Sequence, residues 1–518
     1  MDLAILHYHL NRGGVTQVIV NHLAAMAAAD DAPRRIALLF GGRKDGWPQE
    51  RVEQLSGVET VLCPIPELDY DDGEPVEADR LHRRIVETLG EAGFQPDRTL
   101  LHVHNHTLGK NLSLVGALRR WADDGLPLLL QIHDFAEDFR PDNYRRLTQG
   151  LCGDEPSRLP EMLYPQADHV HYAVLNGRDL GVLRRAGVPA DRLHLLPNPV
   201  APFGTLPEKV SARAKLASRL GVAPHARLLL YPVRVIRRKN VGEALLWAAL
   251  AGDDTCVGVT LPPLNPIERP SYEQFKSLAR GLDLPCVFDL GGEGMLSFTE
   301  NLAASDAIFT TSVAEGFGMV FAESWLAGRY LMGRDLPEIT GDFRAAGLQL
   351  DGLAPRLAVP LEWIGEARYR QAMTKAFGRA LAGYDRPLPS TTQLNDSLDA
   401  LIVDGTVDFA TLGRTLQAEA IERVARDAAS AERVRSLNPW FEQTLARGAD
   451  QQRDVVQHNA AAVSEGYSLA ACGQRLAALY RGLAAANRDA TVETLAHGEQ
   501  VLGAFLELSR CHPIRIEQ

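Results

Sequence analysis

Residues 307–324 read AIFTTSVAEGFGMVFAES. The first four form an apolar run of strand length, and the pattern after E-G-F-G is helical. A strand that breaks at glycines and re-forms as a helix is the repeating join of a doubly wound α/β sheet. The spacing predicts Gly316 and Gly318 in the first helical turn, where backbone N–H groups face outward and a missing Cβ lets a phosphate approach. Glu315 then stands just before the helix and Glu323 more than a turn inside it. Eight helical residues would separate the two acids by roughly 12 Å, about the span of a nucleoside diphosphate sugar. The alternative is a capped helix carrying two solvated acids.

Outward from this join the same alternation runs in both directions. Apolar runs at 3–8, 35–40, 58–65, 99–105, 126–134, 169–176 and 192–198 alternate with helix-period segments such as 13–29 and 81–93. PNPVAPFG (197–204) supplies the proline and glycine of a boundary. Strand-like runs resume at 226–233, 256–260 and 286–290, with helical stretches at 240–251 and 272–281. Continuous apolar strands between helices indicate parallel sheets covered on both faces. After about Leu353 the alternation stops. Most of 362–460 reads as helices, with PLPSTTQ (387–393) as a loop, and 467–486 is an amphipathic helix that Ser468 can cap.

A chain of 518 residues is too long for one core. Its net charge of −12 argues against broad nucleic-acid binding, and no apolar run approaches the ~20 residues that span a bilayer. The six cysteines form no C-x-x-C pair, as in a reducing compartment, and MDLAILHYHL lacks the pattern of a secretion signal. A cytoplasmic protein with at most peripheral membrane contact is expected.

YPVRVIRRKN (231–240) places Arg234, Arg237, Arg238 and Lys239 after a strand. Cations there suit a diphosphate leaving group, on which negative charge grows in the transition state; Arg237 and Arg238 read as a solvated basic turn. NRGGV (11–15) follows the first strand, and its Gly13 and Gly14 let the first helix present N–H groups. Histidines gather at 7, 9, 102, 104, 106, 133, 169 and 171. Alternate strand residues share a face, so HVHNH offers three imidazoles on one side. A metal is conceivable, but no carboxylate-bearing ligand motif accompanies them and none is expected. Contact of one or two of them, with Asn105, to an acceptor is expected instead. Asp138, Arg140, Asn143 and Tyr144 lie in a polar connection that either clasps an acceptor, anionic through Arg140, or is a solvated loop.

E-x7-E at 315–323, R-x4-K at 234–239, GG after the first strand and H-D at 133–134 together resemble glycosyltransferase family 4. The resemblance covers most of 1–340 and 460–485. It implies the GT-B fold: two Rossmann-like domains facing a cleft, here with a largely helical C-terminal insertion and extension. The expected domains are 1–200, completed by 485–518, and 201–484, with the insertion at about 355–460. The resemblance further implies a retaining transfer of a hexose from a nucleotide-diphosphate sugar, with no cofactor or metal. Arg234 and Lys239 would neutralise the diphosphate, helped by N–H groups of Phe317–Met319 and of Gly14. Glu323 would hold the ribose and Glu315 the donor sugar. His133 would sit beside the transferred sugar, and backbone near Gly291 and Gly292 would hold the base. Asn240 departs from the family's glycine after the lysine, RYLMGRDLPEITGDF (329–343) replaces an expected apolar run, and the insertion has no counterpart. The acceptor stays open between a small molecule and a lipid-linked one. A phosphorylase, a nucleotide-sugar epimerase and a non-catalytic sugar-nucleotide scaffold stay open beside the transferase.

Overall fold

The computed structural model describes residues 2–71, 74–153, 155–252 and 254–517. The chain forms two compact units: residues 1–201 with 465–506, and 202–464 with 507–518.

The first unit carries a seven-stranded parallel sheet: β1 (Asp2–Leu6), β2 (Arg35–Phe40), β3 (Glu59–Pro64), β4 (Thr99–His104), β5 (Leu128–Ile132), β6 (Val170–Val174) and β7 (Leu193–Leu195), in the order β3-β2-β1-β4-β5-β6-β7. Six lie within the apolar runs read from the sequence, and β1 begins one residue ahead of its run. The near-continuous burial of the five inner strands is what helices on both faces require, while the edge strands β3 and β7 are partly exposed. The helix Gly14–Ala27 covers one face, and the helix Leu469–Ala484 packs on it. Gly473 permits that packing, because a Cβ there would stand 2.4 Å from the carbonyl oxygen of Ala25. Cys472, Leu476, Leu479, Tyr480 and Leu483 join Leu3, Ile5, Ile19, Leu23 and Leu38 in one core. Ser468 caps this helix by accepting from the Ala471 N–H, as its sequence position suggests.

The second unit repeats the winding with β8 (Arg227–Arg234), β9 (Thr255–Leu261), β10 (Cys286–Val287), β11 (Ala307–Thr310), β12 (Tyr330–Arg334) and β13 (Leu353–Ala354), in the order β10-β9-β8-β11-β12-β13. Both sheets therefore have a switch point beside their first strand, between β1 and β4 and between β8 and β11. A short antiparallel pair, β14 (Ala358–Pro360) with β15 (Thr406–Asp408), opens the helical region.

Four sequence expectations need correction. The late helix Leu469–Ala484 belongs to the first unit, although the sequence reading ended the second domain at 484. The last residues, from 507, belong to the second unit rather than completing the first. The stretch after Glu323, read as a lost apolar run, is the fully buried strand β12, and its Arg334 is neutralised inside the fold by Glu243 and Asp408. The segment read as a loop at 387–393 gives way to a helix from Thr391, with Ser390 and Gln393 forming a capping box.

Candidate functional site

In the second unit the carboxyl ends of β8 and β11 lie side by side, and two loops leave them together. Residues 235–240 connect β8 to the helix Val241–Ala251; residues 311–319 connect β11 to the helix Val320–Leu326. Backbone and hydroxyl bonds stitch these loops. The Val313 N–H donates to the Arg238 carbonyl at 2.9 Å. The Tyr231 hydroxyl donates to the Lys239 carbonyl at 2.8 Å. The Thr311 hydroxyl donates to the same carbonyl at 2.9 Å.

Across this seam the Glu315 carboxylate accepts from Lys239 Nζ on one oxygen and from Arg238 Nη1 on the other. Arg238 also donates to the Ala314 carbonyl at 2.6 Å. Burial alone would push the Glu315 carboxyl up, but Arg238 and Lys239 pull it down to about 2. Burial and the nearby Arg238 lower Lys239 to about 8, against the pull of Glu315. Two cations and one carboxylate thus leave a net positive centre at the switch point, where doubly wound sheets bind ligands.

Asn240 follows with φ 48°, in the left-handed region that asparagine tolerates after glycine, so the backbone there takes a shape that glycine would also supply. Buried, it donates to Glu243 and accepts from Gln417.

The remaining site residues are placed as follows. Arg234 ends β8, is exposed, and donates to the Pro262 carbonyl at 2.9 Å. Gly316 and Gly318 lie in the loop ahead of the helix, not in its first turn as the spacing suggested, so eight helical residues do not separate Glu315 from Glu323. Gly318 has φ 77°, and a Cβ there would stand 2.5 Å from the Phe321 ring, so the turn requires glycine. Among the described residues nothing accepts from the N–H groups of Gly318 and Met319. Phe317 is buried against Phe343. The Glu323 carboxyl has no hydrogen-bond partner among the described residues, and burial raises it to about 7. The Gly291 N–H donates to the Thr260 carbonyl at 2.9 Å and Gly292 closes a turn on Asp289, so the loop is fixed and its Gly291 donor already taken.

Two further expectations change. Arg238, read as solvated, bonds Glu315. Arg237 pairs with Glu268 and donates to the Glu517 carbonyl. A run of like charges has no periodicity that tells which member turns inward, so the sequence held no signal for either pairing.

In the first unit, Gly14 opens its helix with open space around the Cβ position. His133 follows β5 and its Nε2 lies 2.9 Å from Nδ1 of His104. Asn105, with φ 67°, accepts from the backbone N–H groups of His133 and Asp134, so it shapes this turn from a buried position rather than lining a surface. His102 and His104 stack 4.4 Å apart on β4, but His106 lies beyond the strand and bonds the Leu163 carbonyl. The third imidazole beside them is His22, on the helix Gly14–Ala27, which the sequence reading passed over. His22, His102 and His104 bring ring nitrogens within 4.8 Å of one another, all buried. His102 is already engaged at both nitrogens, by Tyr480 and Gln131.

Burial holds these rings neutral: His7 and His102 fall to about 3, His106 and His133 to about 4. Because the folded pKa lies below the unfolded one, each contributes stability above about pH 6.5 that is lost as pH falls toward the folded value; the loss is about 2 kcal/mol per ring at pH 5. Glu243 and Glu323 in the second unit are raised to about 7 by burial and act in the opposite sense. Hydrogen exchange at pH 7.5 and 5 is expected to show the strands of the first unit losing protection before those of the second.

No family model matches the chain. Two Rossmann-like parallel sheets in series, followed by a helical region, define the GT-B fold. Sucrose-phosphate synthase from Thermosynechococcus elongatus has the same fold, at 15% identity and a TM-score of 0.50, covering 93% of this chain and 98% of its own. So does an α,α-trehalose-phosphate synthase (UDP-forming) from Burkholderia vietnamiensis, at 13% identity and 0.50, with the same two coverages. In sequence, the chain is similar to the mannosylglucosyl-3-phosphoglycerate synthase of Petrotoga mobilis, 30% identical over 355 residues. The match covers 66% of each chain, just under two thirds of that relative. Among the described residues no helix is long and apolar enough to cross a membrane.

Proposed function

We propose that the chain is a retaining glycosyltransferase that moves a hexose from a nucleotide-diphosphate sugar to a small anionic acceptor. The observation that carries this reading is the Lys239–Glu315–Arg238 centre, built round a buried carboxylate at the switch point of the second sheet. It is supported by the 30% identity to a synthase whose name specifies a glycosylated 3-phosphoglycerate.

In this reading Lys239 and Arg238 take the diphosphate, with Arg234 at its outer side and the N–H groups of Gly318 and Met319 completing the cradle. Glu315 keeps Lys239 charged and in place before the donor arrives. Glu323 accepts from the ribose hydroxyls; in the first unit His133, neutral and oriented by His104, is kept as the residue for a sugar hydroxyl. The bond from the anomeric carbon to the diphosphate oxygen breaks as a bond to the acceptor oxygen forms on the same face. The acceptor's proton passes to the leaving phosphate. Side-chain cations supply the counter-charge, so the reaction as proposed asks for no metal.

Titration with UDP-, GDP- and ADP-sugars tests the assignment. One of them is expected to bind and raise the melting temperature. Lys239→Ala and Glu323→Ala are each expected to weaken it about tenfold or more, since a lost charged hydrogen bond costs roughly 1.5–3 kcal/mol. Ribose hydroxyls favour ionised Glu323 and the diphosphate favours protonated Lys239. Affinity should therefore peak between about pH 7 and 8. Glu323→Gln should flatten the acid limb alone. Unchanged affinity in both alanine variants would remove the site from the second unit.

A further inference from the structure

Four connections leave the carboxyl ends of β2, β3, β4 and β5 in the first unit and bring charged side chains together. Arg43 follows β2, Asp69, Tyr70 and Asp71 follow β3, Lys110 follows β4, and Asp134, Arg140 and Arg146 follow β5. The three carboxylates are each matched to a guanidinium. Arg43 pairs with Asp69. Arg140 pairs with Asp134 at 2.6 Å. Arg146 pairs with Asp71 at 3.0 Å, and Asp71 also accepts from the Leu112 N–H.

Lys110 is the cation left over. Its ammonium has no carboxylate and no hydrogen-bond acceptor among the described residues. It stands 5.5 Å from the centroid of the Tyr70 ring, which the Arg43 guanidinium approaches at 5.4 Å. Its backbone is pinned, because the Asp71 N–H donates to the Lys110 carbonyl at 2.9 Å. Burial, Arg146 and Arg140 all disfavour its charge. A half-buried ammonium set against an aromatic ring, within electrostatic reach of Arg146 and Arg140 and without a carboxylate partner among the described residues, is poised for an anion from solution. The place suits that role, since ligands of doubly wound sheets gather at the carboxyl ends of strands.

We propose that Lys110, flanked by Arg140 and Arg146 and floored by Tyr70, binds the phosphate or carboxylate of the acceptor. The site selects a small oxyanion-bearing molecule over a neutral sugar. This rests on the transferase reading for the word acceptor, while the anion site itself stands on the first unit alone.

The test titrates the whole protein with inorganic phosphate, glycerol 3-phosphate and glycerate, separately from a nucleotide-sugar titration. Wild type is expected to bind the two phosphates, or glycerate if the carboxylate is what is read, with millimolar or tighter affinity. Lys110→Met should weaken that binding at least tenfold, and Lys110→Arg should hold it within a few-fold of wild type. Nucleotide-sugar affinity should be unchanged in both. As a readout on wild type alone, saturating anion should protect Lys110 from amine acylation, followed by peptide mass spectrometry. Wild type that binds none of the three anions, acylation of Lys110 that anion does not slow, or Lys110→Met with full anion affinity would each overturn the proposal. Lys110-dependent anion binding without any nucleotide-sugar binding would keep the anion site and remove the transferase reading.

Discussion

Arg334→Leu is expected to destabilise the second unit by about 3–5 kcal/mol, the penalty for breaking a buried ion pair from one side. Arg334 ends β12 almost wholly buried and holds two carboxylates at once. Its Nε and Nη2 donate to Glu243 at 2.9 and 2.6 Å. Its Nη1 and Nη2 donate to Asp408 at 2.9 and 2.8 Å, and Nη1 also reaches the Pro355 carbonyl. Glu243 sits on the helix after the Lys239 turn, and Asp408 on β15 of the helical region. Removing the guanidinium strands two buried acids, one of which burial already raises to about 7. Urea denaturation at pH 7.5 measures the loss. Arg334→Lys should recover little, because an ammonium cannot serve both carboxylates with a planar fork. A loss under about 1 kcal/mol in Arg334→Leu would mean that the network contributes little to stability.

Glu315→Ala is the second large effect. The carboxyl is depressed to about 2, so its contribution is fully present above about pH 4.5 and fades as pH falls toward 2. That depression corresponds to about 3 kcal/mol at neutral pH. Without Glu315, Lys239 loses the partner that opposes its burial, and its pKa falls from about 8 toward neutrality. A stability loss of about 3 kcal/mol and at least a tenfold fall in turnover are expected. The double variant Glu315→Gln/Lys239→Met should be less destabilised than the sum of the two single changes, because the second no longer strands a buried charge. Additive losses would mean that the two side chains are not coupled.

Much of this was legible in the order of residues. Apolar runs of strand length gave both parallel sheets, because a strand covered on two faces has no polar side to blur it. β12 escaped notice because YLMGR carries a glycine and a charge whose partners lie 91 and 74 residues away. The helix Leu469–Ala484 was read as amphipathic, but an apolar stripe does not say which sheet it covers; Gly473 against Ala25 decides that. At the site, residues close in sequence were found and residues joined through space were not. E-x7-E and R-x4-K marked the two loops, whereas the contact of Arg238 with Glu315 and of His22 with the β4 histidines depends on loops and helices folded together. The helix expected from Gly316 begins instead at Val320, since the φ of Gly318 lies outside helical geometry.

The route of the chain carries a consequence for inheritance and for engineering. Residues 465–506 finish the first unit, and those after 506 finish the second, so neither is a continuous stretch of gene. A crossover at residue 201 would deliver a half lacking the helix that fills its own core. A premature stop after residue 464 would injure both halves at once. An insertion in a surface connection, by contrast, would cut neither sheet from its tail.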